Sequence, residues 1–195
     1  MLPITVDLAR IRVVLVGTGT AARRRLALLD EAGAGELEIY AADADPALAA
    51  AAGTRLRTRL PDPEEIARAQ LVFVAGVADP AASRIRRIAA VAGVLINVED
   101  DREHCDFHSA AVLRRGDLTV AVSTNGRSPG LAAAIRRSLE AQFGPEWQVR
   151  LDRVAALRAA WRATGAAPAA IARRTAQWLS EVGGRGHDAF PDRQG

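Results

Sequence analysis

The sequence predicts an α/β fold: a doubly wound parallel sheet, then a small α+β region, then a helical C-terminal end. Three observations carry this. Apolar runs alternate with helix-compatible segments through the first half of the chain, the order that lays helices over both faces of a parallel sheet. The first run, Val13-Val14-Leu15-Val16, passes directly into Gly17-Thr18-Gly19-Thr20-Ala21-Ala22. This Gly-x-Gly-x-x-Ala turn joins a strand to a helix and makes the sheet Rossmann-like. After residue 100 the alternation stops, and a hairpin pattern is followed by helical patterns alone. The expected division is a dinucleotide-binding domain over 1–110, a hairpin-plus-helix region over 111–145, a helical region over 146–182 and a disordered polar tail over 183–195. The two middle regions are too small for separate cores, so they should pack on each other or on a second subunit.

Taken in order, the strands fall at Arg12–Val16, Glu38–Ala42, Leu71–Ala75 and Val94–Val98, with a short further segment near Arg55–Arg59. The first helix, Thr20–Ala32, buries Leu26, Leu29 and Ala32 and stops at Gly33 and Gly35. Others follow at Pro46–Ala52, Asp62–Ala69 and Pro80–Ala92, the last with Ile85, Ile88, Ala89 and Ala92 at helical spacing and Arg84, Arg86 and Arg87 left to solvent. Ser109–Arg114 and Leu118–Ser123 read as strands joined at Arg115-Gly116-Asp117, a hairpin turn. Ser128 then caps a helix that begins at Pro129, carries the stripe Leu131, Ile135, Leu139 and Phe143, and stops at Gly144. Of two further helices, one carries Trp147, Leu151, Val154, Leu157 and Trp161 up to Gly165. The other starts near Pro168 and carries Ile171, Thr175, Trp178, Leu179 and Val182.

The glycine turn has a specific chemistry. Gly17 permits the tight turn off the strand, Gly19 lets backbone approach a pyrophosphate, and small Ala22 lets the helix pack closely on the strand. Phosphates then sit on unpaired N–H groups at the positive end of the helix dipole, with Thr18, Thr20 and Ala21 in the same cradle. At the end of the second strand, Asp43 is placed to accept hydrogen bonds from the adenosine ribose, which favours NAD over NADP. Asp45, directly before Pro46, suits the cap of the next helix and leaves Asp43 for the ribose.

Composition bounds the function classes. At 49% hydrophobic, the 195-residue chain nevertheless has no apolar run near the roughly 18–20 residues that span a bilayer. The start, Met1-Leu2-Pro3-Ile4-Thr5-Val6-Asp7, lacks the basic flank and apolar core of a signal peptide, so a soluble cytoplasmic protein without a membrane partner is expected. Cys105 is the single cysteine, which excludes an internal disulfide and a cysteine-cluster metal site. All 26 basic side chains are arginine, and a net charge of +3 is too small to argue for nucleic acid. The arginine clusters at 23–25, 84–87, 114–115 and 136–137 read as solvated helix faces that would also suit a substrate rich in carboxylates.

In open parallel sheets ligands bind beyond the carboxyl ends of the strands, where Gly17–Ala22, Ala75–Pro80 and Asn97–His108 should meet. The last segment, Asn97-Val98-Glu99-Asp100-Asp101-Arg102-Glu103-His104-Cys105-Asp106-Phe107-His108, is the densest set of titratable groups in the chain. His104, Cys105 and His108 invite a metal-site reading, but their spacing matches no closed zinc site, so no fixed metal is expected.

At these residues the chain resembles the precorrin-2 dehydrogenase / sirohydrochlorin ferrochelatase family, the dehydrogenase–chelatase part of siroheme synthase. The matches run in order over about residues 2–145: Leu2-Pro3 with Asp7-Leu8 as an opening strand, the Val16–Ala21 turn followed by arginines, Leu71–Ala75 ahead of Asp79-Pro80, and Ile96–Asp100 followed by Cys105-Asp106-Phe107. The most specific block is Arg114–Pro129, which joins a hairpin to Ser123-Thr124-Asn125-Gly126-Arg127-Ser128-Pro129. The resemblance implies NAD-dependent oxidation of precorrin-2 to sirohydrochlorin, with ferrous iron insertion in many members, and a homodimer built largely from the region after residue 110. It implies that Asp100 is the catalytic aspartate, with Asp106 as runner-up. Asn97, Asp106, Ser123, Thr124 and Ser128 would line the substrate cleft, and Ala75 and Gly76 would lie beside the cofactor. Asp100 can take the proton that leaves the macrocycle alongside the hydride if partial burial raises its pKa. His104 and His108 could hold iron in transit. The chain departs from the family pattern at Gly76, His108 and Asn125, and the end after Trp147 matches it only in kind.

Two other classes compete: a non-catalytic NAD- or tetrapyrrole-sensing module, and an unrelated NAD-dependent oxidoreductase on the same fold. A sensor needs no proton acceptor in its cleft, and no helix-turn-helix is apparent.

Overall fold

Four consecutive apolar residues, Val13, Val14, Leu15 and Val16, have no solvent exposure at all, and the first half of the fold is arranged around them. In the computed structural model, which describes residues 2–183, they belong to strand β1 (Arg12–Gly17). Around it run α1 (Gly19–Glu31), β2 (Glu36–Tyr40), α2 (Pro46–Ala52), β3 (Leu56–Arg57), α3 (Pro63–Ala67), β4 (Leu71–Ala75), α4 (Ala81–Ala92) and β5 (Leu95–Val98). The five strands lie in the order β3-β2-β1-β4-β5 and every neighbouring pair is parallel. Because side chains alternate across a strand, Val13 and Leu15 pack with Leu26, Leu29 and Leu48 on one face. Val14 and Val16 pack with Ile66, Ile85 and Ala89 on the other. Each such side chain contributes about 1.5–3 kcal/mol of burial, so β1 anchors both layers. Chain order reverses between β1 and β4, the switch point where ligands of open α/β sheets bind.

The predicted doubly wound sheet is observed, with local corrections. β2 runs Glu36–Tyr40 instead of Glu38–Ala42, because its register pairs Arg12 with Glu36 and Val16 with Tyr40. Strand pairing therefore ends where β1 enters its turn, and Ala41 to Asp43 fall outside. β5 begins at Leu95 because the Val94 N–H donates to the Ala89 carbonyl, closing the end of α4 behind left-handed Gly93. The expected strand near Arg55–Arg59 shrinks to two residues. α3 stops at Ala67, short of the expected Ala69. The expected opening strand is absent: residues 2–7 carry no regular structure, and the Asp7 carboxylate accepts from the Ala9 N–H to cap a 3-10 turn over Leu8–Arg10.

The chain divides into two compact units, one ending at His108 and one beginning at Ser109. The second contains the antiparallel hairpin β6 (Ala111–Arg115) and β7 (Leu118–Val122), then α5 (Pro129–Gln142), α6 (Glu146–Ala163) and α7 (Pro168–Gly183). Ser128 caps α5 by accepting from the Leu131 N–H, with Pro129 next, as the sequence indicated. Within this unit Leu113, Ala132 and Ile171 are buried. The expected α5 stripe is half-buried at Leu139 and Phe143, whereas Leu131 is 53% and Ile135 39% exposed. Small Ala132 takes the buried position on this helix. Gly183 ends α7, and the rest of the tail expected over 183–195 lies outside the described residues.

Candidate active site

The glycine turn leaves the N-terminus of α1 uncapped. Thr18 occupies the N-cap position, yet its side chain caps nothing. Its Oγ1 instead donates to the Gly76 carbonyl at 2.8 Å, and its N–H donates to the Ala75 carbonyl at 3.1 Å. The first helical bond runs from the Ala22 N–H to the Thr18 carbonyl, so the N–H groups of Gly19, Thr20 and Ala21 precede it. Gly19 has φ +63°, and a Cβ placed there would meet nothing within 4 Å. Open space over unpaired N–H groups at a helix N-terminus fits a pyrophosphate. Behind the turn there is no such space: a Cβ on Gly17 would collide with the Ala75 carbonyl, and Ala22 Cβ is 2.9 Å away.

Gly76 is explained by the same contact. Its φ is +68°, and a Cβ would stand 2.6 Å from the Thr18 carbonyl oxygen. A side chain here would push the β4 loop off the turn, so the departure noted in sequence is a requirement of close approach.

Beyond the end of β2, Asp45 caps α2, its Oδ1 accepting from the Leu48 N–H at 2.8 Å, as expected. That bond, followed by the Arg23 guanidinium, holds its carboxyl below the usual range. Arg23 on α1 reaches Asp45 Oδ2 at 2.5 Å and donates to Thr20 Oγ1 at 2.9 Å. Asp43 is exposed in the turn after β2.

The third segment is a loop lashed to β5. The Ile96 N–H donates to Asp106 Oδ2 at 2.9 Å, and the Asp106 N–H donates back to the Ile96 carbonyl at 2.9 Å. Asn97, a buried polar residue, donates its Nδ2 to the Phe107 carbonyl at 2.9 Å. Cys105 Sγ accepts from the Val98 N–H at 3.2 Å and lies 3.1 Å from both the Val98 and Asp101 carbonyl oxygens, one of which receives its proton. Burial pushes the thiol up, so it serves here as a neutral hydrogen-bonding hub. Phe107 packs edge-on to Phe73 at 5.2 Å, and the Arg25 guanidinium lies 5.0 Å over the other ring contact, Phe73. Burial lowers the Arg25 pKa, with Glu99 opposing the effect.

What this lashing presents is Asp100, in the left-handed region at φ +63°, a conformation Asp tolerates better than most residues. Asp100 lines a pocket of about 170 Å³ with Asp79, Ser83, Arg86, Glu99 and Asp101. The carboxylate is exposed, not partly buried as the sequence reading required. Asn97 and Asp106, expected in the substrate cleft, hold this loop through their side chains. β4 separates β1 from β5, which sets the glycine turn and the Asp100 loop about 10 Å apart along one sheet edge.

Ser123, Thr124 and Ser128 belong to the second unit. There Thr124 Oγ1 accepts from the Ser128 N–H and donates to the Ser128 carbonyl, both at 3.0 Å, and Ser123 Oγ accepts from the Asn125 N–H at 3.1 Å. Asn125 has φ +51°, which accounts for its standing where glycine is usual. His104 Nδ1 lies 2.7 Å from Asp101 Oδ1. Among the described residues no group of three or more His, Cys, Asp or Glu is arranged to hold a metal. Nor is any described helix long and apolar enough to cross a membrane. Sequence reasoning missed Arg25, Cys105 as a hub, and the Thr18–Gly76 bond. Only the last had a signal, a glycine directly after a buried strand.

Comparison with known proteins agrees with this layout. An NAD(P)-binding family model matches residues 4–111, and one for the central part of sirohaem biosynthesis proteins matches residues 115–142. A siroheme synthase of Neisseria meningitidis serogroup C is 32% identical over 187 residues, covering 94% of this chain and 38% of that protein. One from Sodalis glossinidius is 34% identical, covering 83% of this chain and 34% of that protein. This chain thus spans well under half the length of those relatives. The solved structure of SirC, a precorrin-2 dehydrogenase, superposes with a TM-score of 0.70 at 20% identity, covering 93% of this chain and 89% of that one.

Proposed function

The chain belongs to the precorrin-2 dehydrogenase / sirohydrochlorin ferrochelatase family, and on that premise we propose that it oxidises precorrin-2 to sirohydrochlorin with NAD as hydride acceptor. The observation that carries the reading is the placement of an uncapped glycine turn and a projected aspartate on one sheet edge, at the switch point. NAD, when bound, supplies the hydride acceptor. Gly17 to Ala22 would hold its pyrophosphate, Ala75 and Gly76 would wall the turn, and Asp43 would receive the ribose hydroxyls. Asp100 takes the proton that leaves the macrocycle with the hydride. Because Asp100 is exposed in the free protein, the macrocycle itself would exclude water from it on docking.

The same carboxylate suits iron insertion, in which ferrous iron, as substrate, displaces two pyrrole protons. Ser123, Thr124 and Ser128 are proposed to contact the substrate, and His104 and His108 to meet iron in transit. The exposed Leu131 and Ile135 of α5 support a homodimer. A cytoplasmic site of action fits the NAD requirement. Purified protein given precorrin-2 and NAD should yield NADH and sirohydrochlorin, and added ferrous iron should convert the product to siroheme. NAD binding without either oxidation product would overturn the proposal.

A further inference from the structure

We infer that Asp45 sets the choice of NAD over NADP by holding Arg23 in an ion pair at the adenosine end of the site. The inference rests on the NAD-dependent reading above and names the group that enforces it. Asp43 and Asp45 both follow the carboxyl end of β2, where dinucleotide folds receive the 2′ position of the ribose. An arginine in this neighbourhood ordinarily accommodates a 2′-phosphate. Arg23 is that arginine, but its guanidinium is committed: Nη1 to Asp45 Oδ2 at 2.5 Å and Nη2 to Thr20 Oγ1 at 2.9 Å.

Asp45 cannot easily turn away, because its other oxygen caps α2 through the Leu48 N–H. Both partners are about one-third exposed, at 36% and 31%, so the pair lies at the surface where a ligand can reach it. A 2′-phosphate, carrying close to two negative charges at neutral pH, would meet two carboxylates and an already neutralised guanidinium. A plain ribose would instead donate its hydroxyls to Asp43. The pair is not needed to hold the fold, since surface ion pairs contribute at most about 1 kcal/mol. Its consequence lies in ligand choice.

The test separates charge from capping. Asn caps a helix as well as Asp does, so Asp45→Asn should keep α2 and the melting temperature while freeing Arg23. Titration calorimetry of the whole chain with NAD and with NADP should show a wild-type preference for NAD. In Asp45→Asn the NADP-to-NAD affinity ratio should rise about tenfold, which corresponds to ~1.4 kcal/mol. Arg23→Gln added to Asp45→Asn should cancel that gain, and Arg23→Gln alone should weaken NADP further. An unchanged ratio in Asp45→Asn, with NAD still bound and precorrin-2 still oxidised, overturns the inference and spares the function. A wild-type preference for NADP also overturns it, and failure of the wild type to bind NAD overturns both.

Discussion

Replacing Gly76 by alanine tests how the dinucleotide cradle is built. The new Cβ would stand 2.6 Å from the Thr18 carbonyl oxygen, and backbone at φ +68° would have to be kept by an L side chain. The left-handed conformation costs about 1 kcal/mol. Shifting the loop to relieve the clash forfeits the Thr18–Gly76 hydrogen bond, about 1 kcal/mol more. With residual overpacking the total is about 2–3 kcal/mol, or a fall in Tm of about 8–12 °C. Because Thr18 is the N-cap of α1, the same shift disorders the phosphate site, so NAD affinity should drop at least tenfold, ~1.4 kcal/mol. Gly33→Ala is the control: φ is +74° but a Cβ would meet nothing within 4 Å, so only the backbone cost of about 1 kcal/mol applies and NAD binding should not change. Thermal unfolding and calorimetric NAD titration read both quantities. A Gly76→Ala protein that melts with the Gly33→Ala control and binds NAD at wild-type affinity would refute the argument.

Three other substitutions probe separate parts. Gly19→Asp puts bulk and negative charge at the pyrophosphate and should abolish NAD binding while the protein stays folded, as checked by calorimetry and circular dichroism. Glu65, held by bidentate contact with Arg59 and by the Asp62 N–H of its capping box, has its pKa lowered to about 2 from 4.5. A depressed carboxyl stabilises the fold above its unfolded pKa and loses that contribution as pH falls through the folded one. Glu65→Gln keeps the capping-box geometry but loses the charged contact with Arg59, so it should lower stability by at most about 1 kcal/mol at pH 7, and in denaturant unfolding the gap should close between about pH 4.5 and 2. Asp106→Ala unties the Asp100 loop from Ile96, so kcat should fall with little change in the KM for NAD, as steady-state kinetics would show.

Much of this was legible in the sequence, for identifiable reasons. The Val13–Ala22 strand and turn declare themselves because buried parallel strands and dinucleotide turns both have local signatures, and Asp45 before Pro46 is a cap by spacing alone. The end of β2 depends on register with β1, which no local pattern encodes. Asn97 and Asp106 read as cleft residues because polar groups after a buried strand suggest chemistry; their bonds to Phe107 and Ile96 become visible only once the loop folds back. Arg25 over Phe73 depends on α1 crossing β4, a contact between elements distant in sequence. The exposure of Leu131 and Ile135 is not encoded in periodicity, which shows that a stripe exists and not what covers it.

On the proposed function, one sheet edge holds both the oxidant and the acceptor of the macrocycle's proton. Asp100→Asn, nearly isosteric and uncharged, tests it most directly when NAD affinity and precorrin-2 oxidation are measured on the same preparation. NAD affinity should stay within a few-fold of wild type, and oxidation should fall by about 10²-fold or more. Oxidation at the wild-type rate in Asp100→Asn, or loss of NAD binding together with activity, would contradict it.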